Sequence, residues 1–327
     1  MKPFAYVNAG GEKDAIAALV PERGRVLPIA GGMDLLALMK DYIAQPDRLV
    51  TVKALDRTIR RGGDGSLRIG AAVTLTELAA HPEAARLYPA LTEAAAEVGT
   101  PQIRNVGTVG GNLNQRPRCW YFRNEEFHCL KKGGSRCFAV DGENQYHAIF
   151  GDGPCHIVHP SSLAVPAIAL DARFRVVGPA GEREVAAADY YVMPDRNLFG
   201  ETVLAPNELL THLILPAPGG ARTATYEVRF KQSHDWPLAM ASVALSMNGQ
   251  TVRAARIVMG AVAPIPWRSS AAEAALAGKR MSEEAAMAAA DAAVTGAKPM
   301  TGNAYKLQIA RTAVKRAILK AAGIKTV

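Results

Sequence analysis

The chain has 327 residues, 49% of them apolar and 21% charged, with a net charge of +8 and a mean hydropathy of +0.02. That balance excludes a disordered chain, which could not bury enough apolar surface to offset its ordering entropy, and it suits about two domains with substantial cores. No stretch approaches the roughly 20 uninterrupted apolar residues of a membrane span, and the opening MKPFAYVNAGGEKDAIAALV lacks a basic flank before an apolar core, so no signal peptide is predicted.

In chain order, residues 25–29 read as a strand that stops at Ala30-Gly31-Gly32, and Asp34 opens an apolar-periodic helix over 35–39. Residues 48–52 and 66–70 are predicted strands, 76–80 a helix capped by Thr74, and 88–98 an Ala- and Glu-rich helix. A second glycine turn spans 104–112. From Arg116 to about Pro154 the periodicity disappears, as expected of a long functional loop. A helix at 162–170, a strand at 172–178 and strand-like pieces to Leu215 follow. Pro216-Ala217-Pro218-Gly219-Gly220 marks a boundary. Beyond it come three predicted strands, 223–231, 239–247 and 252–262, then an Ala-rich helical stretch over 269–322.

The positive charge is concentrated at the end. After Asp291 there is no acidic residue, while Lys298, Lys306, Arg311, Lys315, Arg316, Lys320 and Lys325 are all basic. No nucleic-acid motif accompanies them, so the run reads as a solvated helix face or a contact with another protein.

Each glycine turn could approach a phosphate closely. Glycine tolerates positive φ, and a helix N-terminus offers free N–H groups to an anion. Neither turn fits G-x-G-x-x-G or carries a P-loop lysine, so a nucleotide held by another architecture is the economical reading. The Thr108 hydroxyl and Asn112 amide add hydrogen-bonding groups to the second turn.

All four cysteines, Cys119, Cys129, Cys137 and Cys155, fall in one window. Their spacing has no tight zinc knuckle and no C-x-x-C redox pair. Four thiolates are the usual donors of a [4Fe–4S] cluster; on chemistry alone the iron–sulfur, zinc and disulfide readings stay open. His128, His147, His156 and His159 lie in or beside the window. One of them could replace a cysteine as ligand, and His159 before Pro160 reads as a structural turn residue. Arg116, Arg118, Arg123, Lys131, Lys132 and Arg136 could offset an anionic cluster. Trp120 and Trp236 could cover a cofactor or lie in the core.

Ala30-Gly31-Gly32-Met33-Asp34-Leu35, and Gln102-Ile103-Arg104-Asn105 with Thr108-Val109-Gly110-Gly111-Asn112-Leu113, resemble the two FAD loops of the molybdenum hydroxylases. These are the flavoprotein subunits or domains of the xanthine dehydrogenase and carbon monoxide dehydrogenase family. The similarity continues through His159-Pro160-Ser161 and the tail after Gly220. It implies an α+β chain: a two-subdomain FAD-binding fold of the vanillyl-alcohol-oxidase/PCMH type, then a C-terminal three-stranded sheet with a helical bundle. The subdomains would span residues 1–60 and 61–218, with an insertion at about 115–157, and the C-terminal domain residues 219–327.

By the same resemblance, FAD would contact Leu27, Pro28, Ile29, Ala30, Gly31, Gly32, Met33, Asp34 and Leu35, with Thr108, Gly110, Gly111, Asn112 and Gln115. Ser162 stands where the family often has Asp, and Arg229 or Lys231 near the family's Lys; Ser233 falls near its following Arg. Most of the family lacks the cysteine insertion. The 4-hydroxybenzoyl-CoA reductase type and the bacterial aldehyde oxidoreductase type carry it with a [4Fe–4S] cluster, and the stretches from Gly111 to Phe122 and from Cys155 to Ser161 look most like the latter. Cys119, Cys129, Cys137 and Cys155 are then the implied cluster ligands. The implied role is electron transfer from the [2Fe–2S] centres of a small subunit through FAD to an external acceptor. Substrate would be oxidised on a large molybdopterin-binding subunit of the same heterotrimer, or its dimer, so no general acid or base is expected on this chain. The implied location is cytoplasmic, or periplasmic by export with a signal-bearing partner. An inward-running aromatic-thioester reductase and a cofactor-free scaffold are the competing expectations.

Overall fold

Three short strands open the chain and pair in parallel, which obliges each connection to cross over. The computed structural model, which describes residues 1–325, places β1 (Ala5–Asn8), β2 (Val26–Ile29) and β3 (Arg48–Thr51) in the order β1-β3-β2. The crossovers contain α1 (Glu12–Ala18) and α2 (Leu35–Lys40). Ala15, Leu19, Val26 and Val50 form the small core beneath them.

The second unit is a five-stranded antiparallel sheet with helices on one side. Its strands are β4 (Ile59–Arg61), β5 (Leu67–Gly70), β6 (Arg173–Gly178), β7 (Gly181–Ala186) and β8 (Leu209–Leu215), in the order β4-β5-β8-β6-β7. Between β5 and β6 the chain makes α3 (Leu75–Ala80), α4 (Pro82–Leu87), α5 (Pro89–Glu97), α6 (Pro101–Val106), α7 (Val109–Leu113), α8 (Trp120–Arg123) and α9 (Ala164–Ala169); α10 (Ala187–Tyr190) follows β7. Thr74 caps α3 in a full capping box, taking the Glu77 N–H while Glu77 accepts from the Thr74 N–H at 2.7 Å. Leu67, Ile69, Leu91, Phe174, Tyr190 and Leu213 lie in the core of this unit.

In the third unit β9 (Arg222–Val228), β10 (Ala239–Asn248) and β11 (Thr251–Gly260) pair as an antiparallel meander. The three expected strands gain a fourth, β12 (Trp267–Arg268), which is too short for a period-two pattern to reveal. The first of them ends at Val228, leaving Phe230 69% exposed in a loop. The alanine-rich tail is α11 (Ser270–Leu276), α12 (Glu283–Ala293) and α13 (Tyr305–Ala322). Their alanines, among them Ala286, Ala290, Ala313 and Ala317, let the helices pack closely on β10 and each other.

The basic run is partly exposed, as a solvated face would be, but four of its seven charges have acidic partners. Lys298 pairs with Asp152 at 2.9 Å, Lys320 with Glu93 at 3.0 Å, Lys315 with Glu283 and Arg311 with Asp291. Arg316 donates to the Tyr226 hydroxyl, and Lys306 is buried.

The connection leading from β3 into the second unit is fixed at Asp56. Its carboxylate accepts from the Thr58 N–H and from Arg60, both at 2.7 Å, and faces His212 Nε2 at 3.1 Å. Burial would raise its pKa, but these hydrogen bonds and the Arg60 charge prevail and hold it at about 2. A depressed carboxylate stabilises the fold above its unfolded pKa, here 3.8, and loses that effect as pH falls through the folded value. Thermal melts between pH 4 and 2 should therefore show a loss of about 2 kcal/mol that Asp56→Asn lacks; equal acid sensitivity in the variant would refute the assignment.

Candidate functional site

The two glycine segments touch. A Cβ on Gly31 would lie 2.1 Å from the Val106 carbonyl oxygen, so only glycine allows the first loop to rest against the end of α6. Gly32 has φ +75, the left-handed region that glycine occupies freely. Among the described residues the N–H groups of Gly31, Gly32, Met33 and Asp34 donate to no chain group, so they are available to an anion at the start of α2. Leu27, Pro28 and Ile29 form the strand that delivers them, and Leu35 starts the helix.

The second segment differs from its expectation. It is the first turn of α7, and its amides are already bonded: Val109 to Val73 O at 2.8 Å, Gly110 to Ala71 O at 2.9 Å, Gly111 to Thr108 Oγ1 at 3.1 Å, and Asn112 to Thr108 O at 2.8 Å. Free N–H groups therefore come from the first loop. Gly110 serves close packing, since a Cβ there would meet that of Ala71 at 2.8 Å. The Thr108 hydroxyl keeps its own hydrogen to donate. Asn112 Oδ1 accepts from Ser161 Oγ at 2.7 Å and Leu163 N at 3.3 Å, and buried Gln115 donates to Pro160 O at 3.2 Å. These two residues tie α7 to the His159-Pro160-Ser161 turn.

Asp34, expected on the cofactor loop and as the opening residue of α2, makes no side-chain cap. Its carboxylate turns to the cysteine segment instead, bonding Arg118 Nη1 at 2.9 Å, Arg123 Nη2 at 2.5 Å and the Arg116 N–H at 2.7 Å. Burial lowers Arg118 to about 10, so it stays charged at neutral pH. Glu201 binds Arg116 at 2.7 Å and Lys131 at 2.8 Å. Arg116, Arg118 and Arg123 thus answer the carboxylates of Asp34 and Glu201, while Arg136 lies over the Phe138 ring. Among the six basic residues of the window, only Lys131 lines the cysteine cavity.

That cavity, small at about 10 Å³, is lined by all four cysteines together with Tyr121, Phe122, Phe138, His147 and Ile157. The thiols are free, which sets aside the disulfide reading. Burial pushes Cys119 up to about 12 and Cys155 to about 11. Among the described residues no three of His, Cys, Asp or Glu converge closely enough to hold a single ion.

The third unit clamps this segment from the opposite side. Asn303 Nδ2 donates to His147 O at 3.1 Å and Ala148 O at 3.2 Å. Lys306 Nζ reaches Ala261 O at 2.6 Å, His147 O at 3.1 Å and Tyr146 O at 3.3 Å. Burial pulls Lys306 down to about 7, while three carbonyl acceptors favour its ammonium form. Asn144 bonds Thr301 and the Gly302 N–H in return. Sequence reasoning missed Lys306, because a lysine within a basic run carries no sign of burial.

A larger cleft, about 450 Å³, opens between the second and third units. His159, Pro160, Ser161, Trp120, Trp236 and Lys306 line it, and Cys119, His147 and Ile157 belong to both its wall and the cysteine cavity's. Trp120 packs edge-on against Tyr146 and His147, and Trp236 lies under the Arg118 guanidinium at 4.5 Å. His159 is the structural turn residue expected. It is buried against Tyr191 at 4.4 Å between centroids, and burial lowers its pKa to about 3.

Ser162 and Arg229 come together around Glu227, a carboxylate absent from the sequence reading. Burial pushes Glu227 up to about 7, against the pull of Arg229 at 3.7 Å and a hydrogen bond from Ser162. Arg229 also pairs with Glu97. Lys231 and Ser233 are exposed on the loop after β9.

Comparison with known proteins matches residues 2–218 to the FAD binding domain in molybdopterin dehydrogenase, and residues 224–321 to the CO dehydrogenase flavoprotein C-terminal domain. The chain is 36% identical to the aldehyde oxidoreductase FAD-binding subunit PaoB of Escherichia coli (strain K12), over 98% of this chain and 99% of the relative. It is 30% identical to the carbon monoxide dehydrogenase medium chain of Hydrogenophaga pseudoflava, over 96% of each. Among solved structures, carbon monoxide dehydrogenase from Hydrogenophaga pseudoflava superposes with a TM-score of 0.77 at 30% identity, covering 99% of this chain and 98% of that one. Quinoline 2-oxidoreductase from Pseudomonas putida 86 does so with a TM-score of 0.76 at 26% identity, covering 98% and 97%.

The clamp makes a local prediction. Lys306→Met leaves the Tyr146 and Ala261 carbonyls without this donor and His147 O with Asn303 alone, a loss of about 2 kcal/mol after the relief of burying a charge. Hydrogen exchange should accelerate in residues 144–148 before other regions; unchanged protection there would show that the lysine does not hold the segment.

Proposed function

The chain belongs to the FAD-binding medium subunits of the molybdenum hydroxylase family, and on that premise we propose that it is the electron-transfer subunit of an aldehyde oxidoreductase, holding FAD and a [4Fe–4S] cluster. The observation that carries the reading is the ring of four thiols around one cavity whose wall is shared with the interdomain cleft. A single zinc ion needs its donors within about 2.3 Å of one point, whereas a cluster takes thiolates set farther apart. Four free cysteines lining one cavity supply the four thiolates that a cluster takes. The unbonded amides at residues 31–34 suit a pyrophosphate. When bound, FAD and the cluster supply one-electron steps between a partner's centres and an external acceptor.

The residues of this chain bind and orient. Gly31 and Gly32 let the first loop approach the pyrophosphate, and Thr108, with its free hydroxyl hydrogen, donates beside it. Asn112 and Gln115 hold the Pro160–Ser161 turn at the cleft wall. Arg229 and Ser162 surround Glu227 at the third-unit side, and Lys231 adds positive charge at the loop. Cys119, Cys129, Cys137 and Cys155 ligate the cluster, and the apolar Phe122, Phe138 and Ile157 exclude water from it. Substrate oxidation is assigned to a large molybdopterin-binding subunit and electron delivery to a small [2Fe–2S] subunit, in a heterotrimer or its dimer. The 36% identity to an aldehyde oxidoreductase subunit along the whole chain favours aldehydes as the substrate class.

Two substitutions separate the two cofactors. Gly31→Ala sets a methyl group 2.1 Å from the Val106 oxygen and should remove most bound flavin, read by visible absorbance, with iron retained. Cys129→Ser should remove iron, read by metal analysis, with flavin retained. Zinc in place of iron in the unsubstituted protein would overturn the cluster, and turnover of hydroxybenzoyl-CoA but not aldehydes by the assembled complex would overturn the substrate class.

A further inference from the structure

His147 approaches the sulfur of Cys119, which also takes backbone hydrogen bonds from Tyr121 and Phe122. Its Nε2 lies 3.3 Å from Cys119 Sγ. The ring is buried beside Trp120 and Tyr121, with centroids at 6.0 and 6.1 Å. Its Nδ1 is buried without a partner, so the sulfur is the ring's one polar contact. The backbone leaves the ring little freedom. The His147 N–H bonds Asn144 O at 3.0 Å, and its carbonyl takes donors from both Asn303 and Lys306 at 3.1 Å. Cys119, His147 and Ile157 separate the cysteine cavity from the cleft; Ile157 is apolar, so His147 is the polar group beside the sulfur in that partition.

We propose that His147 is a positioning residue for the cluster, donating Nε2–H to the Cys119 sulfur and thereby raising the cluster's reduction potential. The inference rests on the cluster reading above. A metal-bound cysteine is a thiolate with lone pairs only, so the shared hydrogen must sit on the imidazole. In the neutral ring that leaves Nδ1 as a bare acceptor, in agreement with its lack of a partner. Reduction adds negative charge to the cluster and its sulfurs, and an N–H donor stabilises that state more than the oxidised one.

The test uses the FAD-loaded complex carrying His147→Leu or His147→Gln, with iron and flavin analysis followed by a potentiometric titration of the cluster monitored by EPR. Full cofactor content is expected in both variants. The potential should shift downward in His147→Leu and return toward the unsubstituted value in His147→Gln, whose amide N–H can reach the same sulfur. A potential unmoved in the iron-replete His147→Leu complex overturns the proposal. Iron lost from both variants with flavin retained also overturns it, because His147 would then be a ligand. An unsubstituted complex without iron overturns the cluster reading itself, and this proposal with it.

Discussion

A buried irregular segment must find a partner for every polar group that regular structure would have satisfied. The stretch from Arg116 to Ser161 meets that constraint by borrowing partners from all three units. Asp34, from the parallel unit, takes two guanidiniums and a backbone N–H. Glu201, from the second unit, takes Arg116 and Lys131. Asn303 and Lys306, from the third, hold the carbonyls of residues 146–148. The cysteines converge because these anchors fix the loops between them.

The same anchors bring the two candidate cofactor sites together. Asp34 follows directly on the loop with free amides, and its carboxylate holds the chain just ahead of Cys119. Lys306 lies in the wall of the cleft while bonding His147 O, one residue wall away from the thiols. Most ion pairs at a protein surface contribute little because water competes for them. Those of Arg123 and Lys131 are shielded, and losing one partner would strand a buried charge.

Local features were readable before any coordinates. The Thr74 and Glu77 capping box is a fixed spacing, the strand at Val26–Ile29 is a short apolar run ended by glycines, and the confinement of four cysteines to one window is plain arithmetic. Resemblance to a known family extended that reading to the FAD loops and the cysteine insertion. Four things were not readable. The α7 amides are consumed by Val73 and Ala71, more than thirty residues upstream. β12 is two residues long and exists only because β11 lies beside it. The basic tail finds its acids in earlier segments, and Glu227 acquires its character from Ser162 and Arg229.

By itself the sequence determined which side chains could do chemistry: four thiols in one window, two glycine segments able to approach an anion, and no catalytic triad or paired carboxylates. Tertiary structure decided which of those groups remain available and what surrounds them. It left the amides of Gly31–Asp34 free and used up those of α7, turned Arg116, Arg118 and Arg123 toward Asp34 and Glu201, and set His147 against Cys119. The physical reason is that hydrogen-bond satisfaction and burial are pairwise properties of groups far apart along the chain. A residue's type can be read from its own position, but its partner is known only once the fold has closed.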